Sequence, residues 1–221
     1  ILNRIPVFPP TFNADSLYCE YSIEGGAMTG KAVQTYKGES KQLILSLMNR
    51  TKKDKLDTAL REFLEKDRSQ NEVSNVAITG NHSQAEAMSI SYSTGNKTGI
   101  RSYDNELYIE LDNKCSYAGN EIDTLKRIND VEFPYRDYDV TAIVLNIPRG
   151  YTLTHLPPSL EIVKDAYRIN IRYEQSKEKV FYRKEITISN PVLKKKDFNG
   201  WNTDMKALKK ACMQQITLIK K

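Results

Sequence analysis

The chain has 221 residues and a formal net charge of +5, with 39% hydrophobic and 28% charged residues. This composition is ordinary for a globular protein and excludes long disorder, collagen and coiled coil. The longest apolar runs, at 43–45 and 142–145, fall far short of the ~18 residues that a membrane span needs, so we expect no transmembrane segment. Three cysteines are too few for a disulfide scaffold. Because the chain starts at Ile1 without a signal-peptide pattern, we expect a processed product or an excised piece.

The basic charge is concentrated at the C-terminal end. Residues 191–221 contain eight lysines and two acidic residues, a balance of +6, which leaves residues 1–190 near −1. A positive field over the whole surface, which would steer the protein to nucleic acid, is therefore not expected. We predict no nucleic-acid partner.

The first part of the chain has the alternating pattern of half-buried strands. Residues 17–24 place every second, apolar side chain on one face, because strand side chains alternate with a period of two. Gly25 and Gly26 can supply the positive φ of a tight turn, which predicts a hairpin with a second strand over 28–36. The side chains expected to point inward are Leu17, Cys19, Tyr21 and Ile23.

The period changes to that of a helix after the hairpin. Ser40 can cap a short helix, and Thr51 with Asp54 resembles a capping box at the start of a second helix over 51–66. The apolar side chains of the second helix form one stripe. We expect both helices to lie on one face of a sheet. The stripe consists of Leu56, Ala59, Leu60, Phe63 and Leu64.

Strand patterns dominate the rest of the chain, and a polar stretch over 113–129 is the candidate domain boundary. A final helix over 196–214 should bury Trp201 against a sheet, and a short strand follows it. The predicted class is mainly β with minor α (α+β). We expect an antiparallel β domain over 1–118 with helices near 40–66, then a β-sandwich-like domain over 119–221 with a helix near 196–214. The other predicted strands are 73–78, 87–92, 106–112, 138–147, 152–155, 160–162, 167–173 and 179–189.

Cysteine and histidine are the residue types that most often carry nucleophilic chemistry. A catalytic cysteine needs an activated thiolate beside a histidine base, commonly at the N-terminus of a helix. Cys19 lies within a predicted strand, Cys212 in the apolar stripe of the last helix, and Cys115 in the boundary segment. His82 and His155 are interpreted as surface or packing residues. We expect three unreactive thiols, of which Cys115 is the one that could be accessible, and no catalytic residue, metal ion or cofactor.

The basic surface of the last helix is the candidate binding site. Lys206, Lys209 and Lys210 lie opposite the apolar stripe of this helix. They could form an anion-binding face for a polyanionic glycan, nucleic acid or membrane headgroups. The interpretation that we favour for this helix alone is a solvated surface, since lysines are favourable near a helix C-terminus.

Four motifs, taken in chain order, resemble the region downstream of the catalytic core in bacterial multidomain transglutaminase-like proteins. Residues 26–31 and 35–38 (GAMTGK and TYKG) resemble a strand pair that follows that core. Residues 127–135 (RINDVEFPY) resemble the start of the last domain, with Asp130 where the family has proline. Residues 147–151 and 156–159 (IPRGY and LPPS) match an I-P-x-G-Y … L-P signature, and the helix and strand over 201–221 match the family's ending.

The resemblance implies a non-catalytic accessory region of a transglutaminase-like, cysteine-protease-like envelope protein. Its partner would be the upstream catalytic domain of the same polypeptide, with a protein or glycan substrate, and its location periplasmic, cell-envelope or secreted. None of the cysteines and histidines here lies in the sequence context of the catalytic cysteine or histidine of that family, so no catalytic residue is expected from the resemblance. The alternative is an autonomous carbohydrate- or polyanion-binding β module that uses the lysine-rich helix.

Overall fold

The secondary structure follows the strand-rich pattern of the sequence. A computed structural model describes residues 7–66, 71–112 and 114–221. The protein is mainly β with a minor helical part, which confirms the predicted α+β class. The helices are α1 (Gly38–Arg50), α2 (Leu56–Lys66) and α3 (Phe198–Cys212). The strands are β1 (Ala14–Glu24), β2 (Ala27–Lys37), β3 (Asn71–Thr79), β4 (Ala87–Asn96), β5 (Ile100–Tyr103), β6 (Glu106–Ile109), β7 (Val131–Glu132), β8 (Asp137–Asn146), β9 (Tyr151–His155), β10 (Leu160–Val163), β11 (Tyr167–Ser176), β12 (Lys179–Ile188), β13 (Val192–Leu193) and β14 (Ile216–Lys220).

The described strands form one large sheet and two smaller ones. The large sheet has eight strands in the order β10-β11-β12-β8-β1-β2-β4-β3. A four-stranded sheet has the order β5-β6-β14-β9, and β13 pairs with β7. All pairs of described strands are antiparallel except one, in which β1 runs parallel to β8 and Leu17 lies opposite Thr141. The long stretch of chain between β1 and β8 provides the crossover that a parallel pair requires.

The parallel pair joins strands from both sides of the predicted boundary at residue 118. The eight-stranded sheet thus draws β1 to β4 from one side and β8, β10, β11 and β12 from the other. The four-stranded sheet does the same, because β14 pairs with β6. Both sheets therefore contain strands from each side of residue 118. The division into two folding units, 1–118 and 119–221, stays a prediction.

The N-terminal hairpin forms as the alternating pattern predicts. β1 and β2 pair with Glu24 opposite Ala27, and Gly25 and Gly26 occupy the turn with φ of 58° and 79°. A side chain is strained at such φ values, so the two glycines are what the turn requires. Leu17, Cys19 and Tyr21 are buried, and Ile23 is half-buried at the end of the same face.

The start of α2 differs from the prediction. Thr51 does not cap α2, because its hydroxyl donates to the carbonyl oxygen of Leu47 at 2.7 Å, one turn back in α1. Its backbone N–H also donates to Met48 at 3.2 Å, which ends α1. Threonine hydroxyls commonly bond four residues back, and this competes with a role as an N-cap. A short 3-10 turn at Lys53–Lys55 therefore precedes α2, which begins at Leu56.

The eight-stranded sheet has one covered face and one open face. α2 packs on the covered face, where the ring of Phe63 lies 6.3 Å from that of Tyr36 on β2. α3 packs on the same face further along the sheet, where Trp201 meets Tyr167 on β11 with ring centroids 4.8 Å apart. Trp201 is 1% exposed, which confirms its predicted burial. The opposite face, here called the outer face, turns its strand side chains away from these helices.

Candidate functional site

The centre of the outer face carries a shallow apolar groove. Here Tyr18, Val33 and Phe181 remain 49%, 39% and 38% exposed, although they lie on central strands of the sheet. Tyr18 and Phe181 border a cavity of about 380 Å³. We call this cavity the outer-face groove; its main lining residues are Tyr18, Ala142, Val144, Arg172, Phe181 and Arg183.

The register of four neighbouring strands builds the groove. Tyr18 on β1 lies opposite Ala142 on β8, and Phe181 on β12 lies opposite Val144 on β8. Small side chains on the central strand thus leave a depression between the two rings. Because strand side chains alternate, the residues next to these along each strand point into the core instead.

Both signs of charge border the groove. Arg183 donates from Nη2 to Oε1 of Glu185 at 2.7 Å, and the Tyr138 hydroxyl donates to the same oxygen at 2.5 Å. The hydrogen bond from Arg183 lowers the pKa of Glu185, so this carboxylate stays ionised. Arg172 donates from Nε to the side-chain oxygen of Asn170 at 3.1 Å, which holds its guanidinium along the edge of the groove. An apolar centre with charged, hydrogen-bonded edges is typical of a surface that binds another macromolecule.

The three predicted anion-binding lysines lie elsewhere. Lys206, Lys209 and Lys210 are exposed on α3, on the side opposite its buried stripe. Nζ of Lys206 lies 3.6 Å from Oε2 of Glu121. None of the three lines the outer-face groove. Their role as an anion-binding face stays a prediction.

Two of the cysteines are not free thiols, which corrects the expectation of three unreactive thiols. Cys115 and Cys212 form a disulfide, with their Cα atoms 6.0 Å apart and their positions separated by 97 in sequence. Only Cys19 is a free thiol among the described residues, and it is buried. The sequence offers no local signal for this pair, because the two positions meet only when α3 packs beside the segment after β6.

The histidines are on the surface, as interpreted from sequence. His82 lies in the exposed segment before β4, and His155 is exposed at the end of β9. In the parts of the chain that the structure describes, no three His, Cys, Asp or Glu side chains are grouped to hold a metal ion. The described helices include none with the length and apolar character to cross a bilayer.

A buried charged cluster lies under the covered face. Lys184 Nζ donates to Oδ2 of Asp112 at 2.6 Å and also to the carbonyl oxygen of Lys114. The hydroxyl of Tyr182 donates to the same carboxylate oxygen at 3.2 Å. Burial raises the pKa of Tyr182, so its hydroxyl remains a donor to the carboxylate.

This cluster was missed at the level of sequence, although a signal was present. Along β12 the buried positions are every second residue, and Lys184 occupies one of them between Tyr182 and Ile186. The period of two therefore places its ammonium group in the core. A buried lysine requires a nearby acceptor, and Asp112 supplies it.

A family model matches residues 105–218, just over half of the chain. Its description is Domain of Unknown Function with solved-structure structure (DUF3858). The chain belongs to the DUF3858 family. No curated protein and no solved structure matches the chain. The DUF3858 match begins just before β6 and ends within β14, so it contains the disulfide, the buried charged cluster and the β8 and β12 walls of the groove, but not Tyr18.

Proposed function

We propose that this chain is a non-catalytic docking region of a larger transglutaminase-like, cysteine-protease-like protein of the bacterial cell envelope. In this proposal the outer-face groove contacts the upstream catalytic domain and helps to present a protein or glycan substrate to it. The observation that carries the proposal is the exposure of Tyr18, Val33 and Phe181 at the centre of a sheet face. Contiguous apolar surface on a folded domain generally marks a contact site for another protein.

The form of the groove favours a folded protein domain as its occupant. The open face is broad, and its central apolar groove is bordered by Arg183, Arg172 and Glu174. Aromatic and arginine side chains are the types most enriched at protein interfaces and among their energetic hot spots. The order of sequence motifs resembling the transglutaminase-like family supports the catalytic domain of the same polypeptide as that occupant.

The disulfide supports the envelope location in this proposal. Disulfides form and persist in the periplasm and outside the cell, and they are rare in the reducing cytosol of mesophiles. Cys115 and Cys212 are joined inside the DUF3858 part of the chain. A protein that matures with this bond is therefore suited to an oxidising compartment.

The proposal is tested by comparing activity with and without this chain. The polypeptide encoded upstream of Ile1 is expressed alone and together with the 221 residues, and peptide cleavage and amine cross-linking are assayed. We expect activity from the longer polypeptide, a large loss when the 221 residues are deleted, and none from the 221 residues alone. Turnover by the isolated chain, or full activity after the deletion, would contradict the proposal.

A second candidate function rests on the exposed lysines of α3. An autonomous module that binds a polyanionic glycan would use Lys206, Lys209 and Lys210, whose ammonium groups lie on one helix surface. Its binding to heparin should weaken steeply between low and physiological salt, because exposed charges are screened. Loss of heparin binding in the triple Lys→Gln variant, without loss in Tyr18→Ala, would favour this candidate.

A further inference from the structure

One short segment holds α3 against the large sheet. It consists of Asp112 and residues 114–118, and we call it the bridging segment. It follows β6 and passes between the covered face of the sheet and α3. Its polar ties, in chain order, join Asp112 to Lys184 at 2.6 Å, Lys114 to Asp15 at 3.5 Å, Ser116 to Asp139 at 2.7 Å and Tyr117 to Asp137 at 2.5 Å.

The only covalent tie between the bridging segment and α3, in the described residues, is the disulfide. Cys115 is half-buried in the bridging segment, whereas Cys212 is buried at the end of α3. Of the two bonded residues, Cys115 is therefore the more open to a thiolate that arrives from solvent. Access to the attacked sulfur is one of the factors that determine the rate of thiol–disulfide exchange.

We propose that the Cys115–Cys212 disulfide is a redox latch, and that its reduction by a dithiol lets the bridging segment open away from Lys184. One thiolate of the dithiol attacks Sγ of Cys115, and Cys212 leaves as a thiolate that takes up a proton. The second thiol of the reductant then displaces Cys115 from the mixed disulfide. The protein gains two electrons and two protons, and the dithiol becomes a disulfide.

The bridging segment has two arrangements that differ in the surroundings of Lys184. In the closed arrangement the ammonium group of Lys184 is shielded from water and paired with the carboxylate of Asp112. In the open arrangement water reaches both charges, and their hydration offsets the loss of the ion pair. The covalent bond favours the closed arrangement, because it restricts how far the segment can move from α3. Its removal shifts the population towards the open one.

The test measures local opening in the oxidised and the reduced protein. Amide hydrogen exchange follows the bridging segment, and amine acetylation follows Lys184, with the exposed Lys179 as an internal standard. On treatment with dithiothreitol we expect exchange protection in residues 114–118 to fall about tenfold or more, and Lys184 to become acetylated. The amides of β12 should keep their protection. The Cys115→Ser/Cys212→Ser variant should behave like the reduced protein without any reductant, and Cys19→Ala like the oxidised one.

Two results would overturn the proposal. If the segment and Lys184 stay as protected after reduction as before, the polar ties alone hold the segment closed and there is no latch. If reduction unfolds the whole protein, seen as a loss of far-ultraviolet circular dichroism and of β12 protection, the disulfide is a structural staple. This inference does not depend on the docking role of the outer-face groove.

Discussion

Nζ of Lys184 lies 2.6 Å from Oδ2 of Asp112, and their side chains are 0% and 2% exposed. The two charges come from different parts of the chain, since Lys184 is in β12 and Asp112 follows β6. Their contact therefore fixes the position of the bridging segment on the sheet. Such a pair is not in itself a large source of stability, but the loss of one partner leaves the other charge buried without compensation.

Replacement of Lys184 by methionine should destabilise the protein strongly. We expect Lys184→Met to lower the free energy of unfolding by about 3–5 kcal/mol, because the buried carboxylate of Asp112 then loses the ammonium group that balances its charge. Urea denaturation of oxidised protein measures this change. The Lys184→Met/Asp112→Asn double variant should recover part of the loss.

An exposed lysine on the same strand provides the matched control. Lys179 forms an ion pair with Glu20 at 3.0 Å, with both side chains more than 40% exposed. Exposed pairs contribute little, so Lys179→Met should change the free energy of unfolding by less than about 1 kcal/mol. Equal effects of the two lysine substitutions would show that Lys184 is not a buried charge in solution.

Trp201 anchors α3 to the sheet. Its indole N–H donates to the carbonyl oxygen of Asn120 at 2.7 Å, and its ring packs edge-on against Tyr167. Trp201→Ala should lower the free energy of unfolding by about 3–5 kcal/mol, whereas the exposed Met213→Ala should change it by less than about 0.5 kcal/mol. The native protein should have blue-shifted tryptophan fluorescence. An emission maximum typical of water would contradict this packing.

The local elements of the fold were predictable because their signals are local. The β1–β2 hairpin follows from alternating side chains around Gly25 and Gly26, and the buried stripe of α3 follows from a helical period. The start of α2 was not predictable. Thr51 could have capped α2, but its hydroxyl donates to the carbonyl oxygen of Leu47 in α1 instead. A capping-box pattern in the sequence does not show which backbone group the threonine hydroxyl will bond.

The candidate site was not predictable for a different reason. Tyr18 and Phe181 border one groove only because β1 pairs with β8 and β8 pairs with β12. Strand order is set by packing over the whole chain. The alternation of side chains along a strand shows which of them share a face of the sheet, but not which strand lies next to it. The Cys115–Cys212 pair was hidden in the same way. The burial of Lys184, in contrast, was predictable, because every second residue of β12 is buried and Lys184 occupies one of these positions.

The carboxyl of Asp137 should make stability depend on pH. Burial raises its pKa, although the hydrogen bond from Tyr117 opposes the shift. A carboxyl with a raised pKa binds its proton more tightly in the folded than in the unfolded state. Its contribution to stability is therefore present at low pH and is lost as the pH rises through the raised pKa.

Asp137→Asn removes this loss and keeps an oxygen that can accept from Tyr117. Relative to the wild type, the variant should gain free energy of unfolding as the pH rises from about 4 to about 7, above the ordinary aspartate pKa. Chemical denaturation at a series of pH values measures the difference. Parallel pH profiles for the two proteins would show that Asp137 does not have a raised pKa.

Titration calorimetry measures whether the outer-face groove binds the upstream part of the same polypeptide, as we propose. The 221 residues are titrated with the separately expressed polypeptide encoded upstream of Ile1. We predict saturable binding that weakens about tenfold or more in Tyr18→Glu/Phe181→Glu, because charges then replace the exposed rings. The Lys206→Gln/Lys209→Gln/Lys210→Gln variant should bind like the wild type. An absence of binding, or equal affinity of a correctly folded groove variant, would contradict a docking role for the groove.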